Sequence, residues 1–115
     1  MKTGDFALIY NVYTIAMDVC FLYRGQKFVW DSDKASANEA KHGVRFEVAC
    51  QVLFDPFLQF VDASVDEERR DAVVGTTKQG SLLFVVHAWR EEDVLRIVSA
   101  RLATAAERRF YEDGE

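Results

Sequence analysis

The stretch AVVGTTKQGSLLFVVHAWREEDVLRIVSAR, Ala72 to Arg101, decides the fold. It holds three apolar runs rich in Val, Leu, Ile and Phe, residues that fit a pleated, half-buried surface. Lys78-Gln79-Gly80-Ser81 separates the first two as a glycine-containing hairpin connection. The charged turn Arg90 to Asp93 separates the second from the third. Consecutive strands joined by short turns predict an antiparallel meander. Period-2 alternation sets Leu83, Val85, His87 and Trp89 on one face and Phe84, Val86, Ala88 and Arg90 on the other. In the third run the same rule puts Arg96 opposite Ile97 and Ser99, with Arg101 on their side.

C-terminal to this meander, Thr104 and Glu107 have the T-x-x-E spacing of a capping box, so a last helix starts there. On the N-terminal side, FLQFVD reads as a further short strand. Asp55-Pro56 stops the helix FEVACQVLF, whose Phe46, Ala49, Cys50 and Leu53 recur at helical spacing. An earlier helix, DKASANEAKH, is capped by Asp31-Ser32 and stopped by Gly43. Before it, VCFLY and KFVW flank Arg24-Gly25-Gln26 as a second hairpin. The apolar block from Phe6 to Tyr23 contains Asn11 and Asp18, lacks a small-residue cleavage site and is rich in strand formers. It reads as strand rather than signal peptide or membrane span.

The order β-α-α-β-β-β-β-α predicts an α+β domain. Its antiparallel sheet has about four or five strands, with two N-terminal helices and a C-terminal helix packed on one face. With 115 residues, half of them apolar, the chain supports one domain with its own core. One proline and six glycines leave no long linker. Residues 1–24 read as an N-terminal extension supplying an extra strand, and residues 25–115 as the principal domain. Cys20 and Cys50 lack zinc spacing and cannot make a disulfide framework, so they read as reduced, small apolar residues of a cytoplasmic protein.

The net charge of −5 disfavours nucleic-acid binding by the whole surface. The acidic residues cluster, however, at Asp66 to Glu68, Glu91 to Asp93 and Glu112 to Glu115. That leaves room for a local basic cleft, or for an acidic rim that attracts a basic protein partner.

The strings FVWDSDKASANEAKHGVRFEVACQVLFDP, DEERRDAVVG, LLFVVHAWREED and RIVSARLATAAERRFYE resemble the BrnT toxins. These begin with an F-x-W-D strand end and a K-H-G-V helix stop. The resemblance runs from Phe28 to Glu112 in the family's order. It implies a RelE-like fold, RNA cleavage that shuts down translation, and a BrnA-like ribbon-helix-helix antitoxin as partner. DNA is then contacted only through the antitoxin, and no membrane is involved. Met1 to Arg24 precedes the usual family start, and the acidic balance departs from many RelE-like toxins.

RNA cleavage without metal needs a base for the 2′-OH, cations for the phosphorane and an acid for the leaving oxygen. The candidate catalytic residues are His42, Arg96, Arg101 and His87, and the candidate RNA-binding residues are Lys34, Lys41, Arg108 and Tyr111. Each has a structural alternative. Lys34, Asn38 and Lys41 line one side of a helix, with His42 beside them, and such a face is often simply solvated. His87 on an apolar strand is as readily a satisfied structural histidine. A strand arginine pairs with a carboxylate or faces a polar cleft, where its fork suits phosphate. Arg108 and Arg109 can pair with Glu112, and Tyr111 can pack on the sheet. No metal site or cofactor is expected, since no phosphate loop, HExxH motif or nucleophilic triad occurs. A second function class also fits: a non-catalytic module that binds a DNA-binding repressor.

Overall fold

The computed structural model describes residues 17–61 and 70–114. Strands β1 (Asp18–Tyr23) and β2 (Gln26–Asp31) form the predicted N-terminal hairpin. Its two-residue turn has positive φ at Arg24 (52°) and Gly25 (84°), the twist that suits flanking strands and that glycine adopts without strain. The apolar block before Met17 and the acidic turn around Asp66 lie outside the described residues.

Helix α1 (Ser32–His42) starts where the Asp31 side chain accepts from the Lys34 N–H, and it ends at Gly43 with φ 72°. A short helix α2 (Phe46–Ala49) tightens into a 3₁₀ turn over Cys50–Phe54. Then come β3 (Gln59–Val61), β4 (Arg70–Thr76), β5 (Leu82–Arg90), a 3₁₀ turn Glu91–Asp93, and β6 (Val94–Leu102). Helix α3 (Ala105–Asp113) begins on the predicted capping box of Thr104 and Glu107.

The sheet differs from the expectation of four or five antiparallel strands. It has six, in the order β1-β2-β6-β5-β4-β3, and β2 lies parallel to β6. The meander β4-β5-β6 is as predicted. The N-terminal hairpin joins it across a connection that includes α1 and α2, which short-range turn signals do not report. Pairing of β2 with β6 is brief, Phe28 with Leu95 and Val29 with Arg96. Beyond it the chain leaves the sheet into α1, and Asn38 takes the vacated place on β6. Its amide donates to the Ala100 carbonyl at 2.8 Å and accepts the Ala100 N–H at 3.1 Å. Asn38 thus serves the fold, although helical spacing sets it with Lys34 and Lys41.

A β-bulge changes the alternation within β6. His87 pairs with Ile97 and Val86 with Ser99, leaving Val98 as an extra residue. Strict alternation put Ile97, Ser99 and Arg101 together. The bulge instead leaves Ile97 on the core face and aligns Arg96, Ser99 and Arg101 on the other.

The core joins Phe28, Trp30, Val73, Leu83, Val85, Leu95, Ile97 and Ala100 of the sheet to Val44, Phe46, Ala49, Cys50 and Val52. Trp30 meets Phe46 edge-on at 5.8 Å. Phe21 of β1 packs on Trp30, and Tyr23 on Phe54, so the hairpin shares this core. The helices do not all lie on one face. Arg101, Phe84, Val74 and Gln59 are in register across four strands on the opposite face. There α3 is held through Arg101 to Glu107 and Gln59 to Gly114. Cys50 is buried, which pushes its thiol well above the ordinary range, whereas Cys20 is exposed on β1.

Candidate active site

Counting through two hairpins brings basic residues of distant sequence together. Arg70 on β4 and Arg96 on β6 both pair with Ala88 on β5, so they flank one small, buried residue on the same face. Adjacent strands lie about 4.8 Å apart, which sets these two backbones about 10 Å from each other. Arg90, two residues along β5 from Ala88, projects from the same side. Where β2 departs from β6, the start of α1 adds Asp31 and Lys34. Together Asp31, Lys34, Arg70, Arg90, Arg96, Ile97 and Val98 line a cleft of about 400 Å³, within the range of small-ligand sites. Four cations and one carboxylate on a chain of net charge −5 are a concentrated positive field.

Arg96 also donates from Nη2 to Asp18 Oδ2 at 2.9 Å. Asp31 accepts the Lys34 N–H through Oδ1 at 3.0 Å, which fixes the carboxylate at the mouth of the helix. Arg96 and Lys34 are therefore brought together as candidates. Arg70 and Arg90 are residues the sequence reading missed. For Arg70 the signal lay in register, because the turn at Lys78 to Ser81 fixes it opposite Ala88 once the strands are counted back. For Arg90 it lay in the alternation that sets it on the face of Ala88.

The other candidates lie elsewhere. Lys41 and His42 close α1, and His42 is about 12 Å along the helix axis from Lys34. Arg101 forms two bonds to Glu107, at 2.8 and 2.9 Å, and stacks over the Phe84 ring at 4.2 Å. That partner holds the Glu107 carboxyl below its usual value and the guanidinium above its own. Tyr111 donates to Asp55 at 2.7 Å, and Arg108 is exposed on α3.

His87 is 2% exposed on the core face, and its Nδ1 has no hydrogen-bond partner among the described residues. Burial pushes its imidazole below the ordinary value, against an opposing pull from Asp71 and the Val85 carbonyl. The unfolded chain then takes up a proton below about pH 6.5 that the folded chain resists. Stability from this residue is complete above that pH and is lost as pH falls through it. Thermal melts from pH 8 to 5 should show this decline, and His87→Gln should flatten it. An unchanged acid limb in the variant would show that another group causes the decline.

Fold and cleft together define a small α+β protein with a cationic cleft on a sheet face. A family model for BrnT, the ribonuclease toxin of a type II toxin-antitoxin system, matches residues 30–107, and the chain belongs to this family. The fold is similar to that of the Brucella abortus ribonuclease toxin BrnT, whose crystal structure aligns with a TM-score of 0.53. Identity is 22%, over 65% of this chain and 92% of that one. No curated protein matches the chain in sequence. Among the described residues, no helix is long and apolar enough to cross a membrane.

Proposed function

We propose that the chain is a cytoplasmic endoribonuclease that cleaves RNA without metal, inhibits translation, and is neutralised by a BrnA-like ribbon-helix-helix antitoxin. The observation that carries this reading is the convergence of Lys34, Arg70, Arg90 and Arg96 on one cleft. In such cleavage the 2′-oxygen attacks the adjacent phosphorus while the bond to the 5′-oxygen breaks. The products are a 2′,3′-cyclic phosphate and a free 5′-hydroxyl. The phosphorane carries extra negative charge, and preorganised guanidinium groups are suited to it. Arginine keeps its proton, so proton transfer falls to the other cleft groups. Asp31 takes the 2′-OH proton, and Lys34 delivers one to the leaving oxygen. His42 could share this work only on a substrate reaching along α1. DNA contact belongs to the antitoxin, whose basic segments suit the acidic rim.

The purified chain, free of partner, should cleave single-stranded RNA in the presence of a chelator and leave cyclic phosphate ends. Its induced expression alone should arrest growth and lower translation, and the neighbouring antitoxin should restore both. Soluble protein at high level with unimpaired growth and intact RNA would favour the non-catalytic module.

A further inference from the structure

Resting on the ribonuclease reading, we propose that Asp18 is a positioning residue that holds Arg96 and limits RNA affinity by occupying the seat of a phosphate. Asp18 lies on β1, ahead of the residues matched by the family model. The register Asp18 to Asp31 on β2 and Val29 to Arg96 on β6 carries it to the cleft face. Its Oδ2 sits 2.9 Å from Arg96 Nη2, and the two side chains are 51% and 25% exposed. An ion pair this open contributes little to folding. Its consequence is local, at the point where the cleft offers a guanidinium.

A carboxylate oxygen 2.9 Å from a guanidinium nitrogen stands where a phosphate oxygen would accept. RNA engaging Arg96 must displace that carboxylate or share the arginine with it, and in either case a negative group remains beside the phosphate. The cleft then presents Arg96 to a phosphate only in part. The hairpin thereby sets affinity and holds the Arg96 side chain ready, while its aromatic residues Phe21 and Tyr23 anchor it to the core.

The test compares the full chain with Asp18→Asn and Asp18→Glu. The probe is a single-stranded RNA blocked by 2′-O-methyl groups, bound over a range of salt; cleavage is measured on the unblocked RNA. Asp18→Asn should bind several-fold tighter at low salt. Because one more cation is released to phosphate, its log–log salt slope should steepen by about 0.7. Asp18→Glu should keep the wild-type slope. A purely structural Asp18 would change melting and leave the slope unmoved, which overturns the proposal. Equal or weaker binding by Asp18→Asn, or lost cleavage with unchanged binding, also overturns it, the latter making Asp18 a proton acceptor. If the wild type neither binds nor cleaves RNA, the ribonuclease reading itself fails, and this inference with it.

Discussion

Arg96→Ala should lower the rate of RNA cleavage by about 10²–10³-fold, the usual loss when one preorganised transition-state donor is removed. Melting should shift little, because the exposed ion pair to Asp18 contributes at most about 1 kcal/mol. Its position explains the asymmetry. Arg96 stands beside Ala88, opposite Arg70, on a floor kept clear by a methyl side chain. Its strand neighbours Leu95 and Ile97 fill the core without it. Arg101→Ala should behave in reverse. It removes the two bonds to Glu107 and the contact with Phe84, loosening α3 from the sheet and lowering the melting temperature while cleavage persists. Melting curves and single-turnover cleavage on both variants decide the matter. A fall in stability for Arg96→Ala large enough to account for its lost activity would assign that residue to the fold.

The contrast between these two arginines shows how far the sequence could be read. Local signals were legible because they rest on local chemistry. The Asp31 cap, the Gly43 stop, the Thr104–Glu107 box and the Lys78–Ser81 turn each satisfy nearby backbone groups or set a turn, and each is present. The parallel pairing of β2 with β6 was not legible, since it joins segments far apart in sequence whose only advertisement is a shared core. The bulge at Val98 was hidden as well. Alternation counts residues evenly, and one extra residue in β6 moved Arg101 onto the face of Arg96. In the cleft, Lys34 and Arg96 were recognisable as cations in structured elements. Arg70 stood next to an acidic run and Arg90 in a charged turn, where a solvated role is the ordinary expectation. Cross-strand register sets Arg70 beside Ala88, and alternation along β5 sets Arg90 on the same face.

Asp55→Ala should destabilise the fold by about 3–4 kcal/mol, a large loss for a single substitution. In the sequence Asp55 reads only as part of the Asp-Pro helix stop. In the structure it is a buried carboxylate with four donors. Oδ1 accepts the Phe57 N–H at 2.8 Å, and Oδ2 accepts the Thr76 N–H at 2.8 Å, the Thr76 hydroxyl at 3.1 Å and the Tyr111 hydroxyl at 2.7 Å. One side chain therefore ties the turn after Cys50–Phe54 to β4 and to α3. Alanine would leave these donors without their acceptor in a partly buried setting, where the desolvation cost stands uncompensated. Burial alone pushes the carboxyl up, but the bonds from Tyr111, Phe57 and Thr76 outweigh it and hold the group below its ordinary value. The unfolded chain thus binds this proton more readily than the folded one. The stability Asp55 contributes is complete above the ordinary carboxylate range, near pH 4, and is lost as pH falls through it toward the folded value. Urea unfolding at pH 7 should show the large loss in Asp55→Ala. A series down to pH 3 should show a shallower acid decline in the variant, because the group that titrates is gone. Tyr111→Phe removes one donor and should cost about 1 kcal/mol, so the effect follows the number of bonds broken. A midpoint for Asp55→Ala close to that of the wild type would mean that water serves these donors equally well. The cleft lies at the other end of the sheet face, so cleavage below the melting temperature should survive both changes.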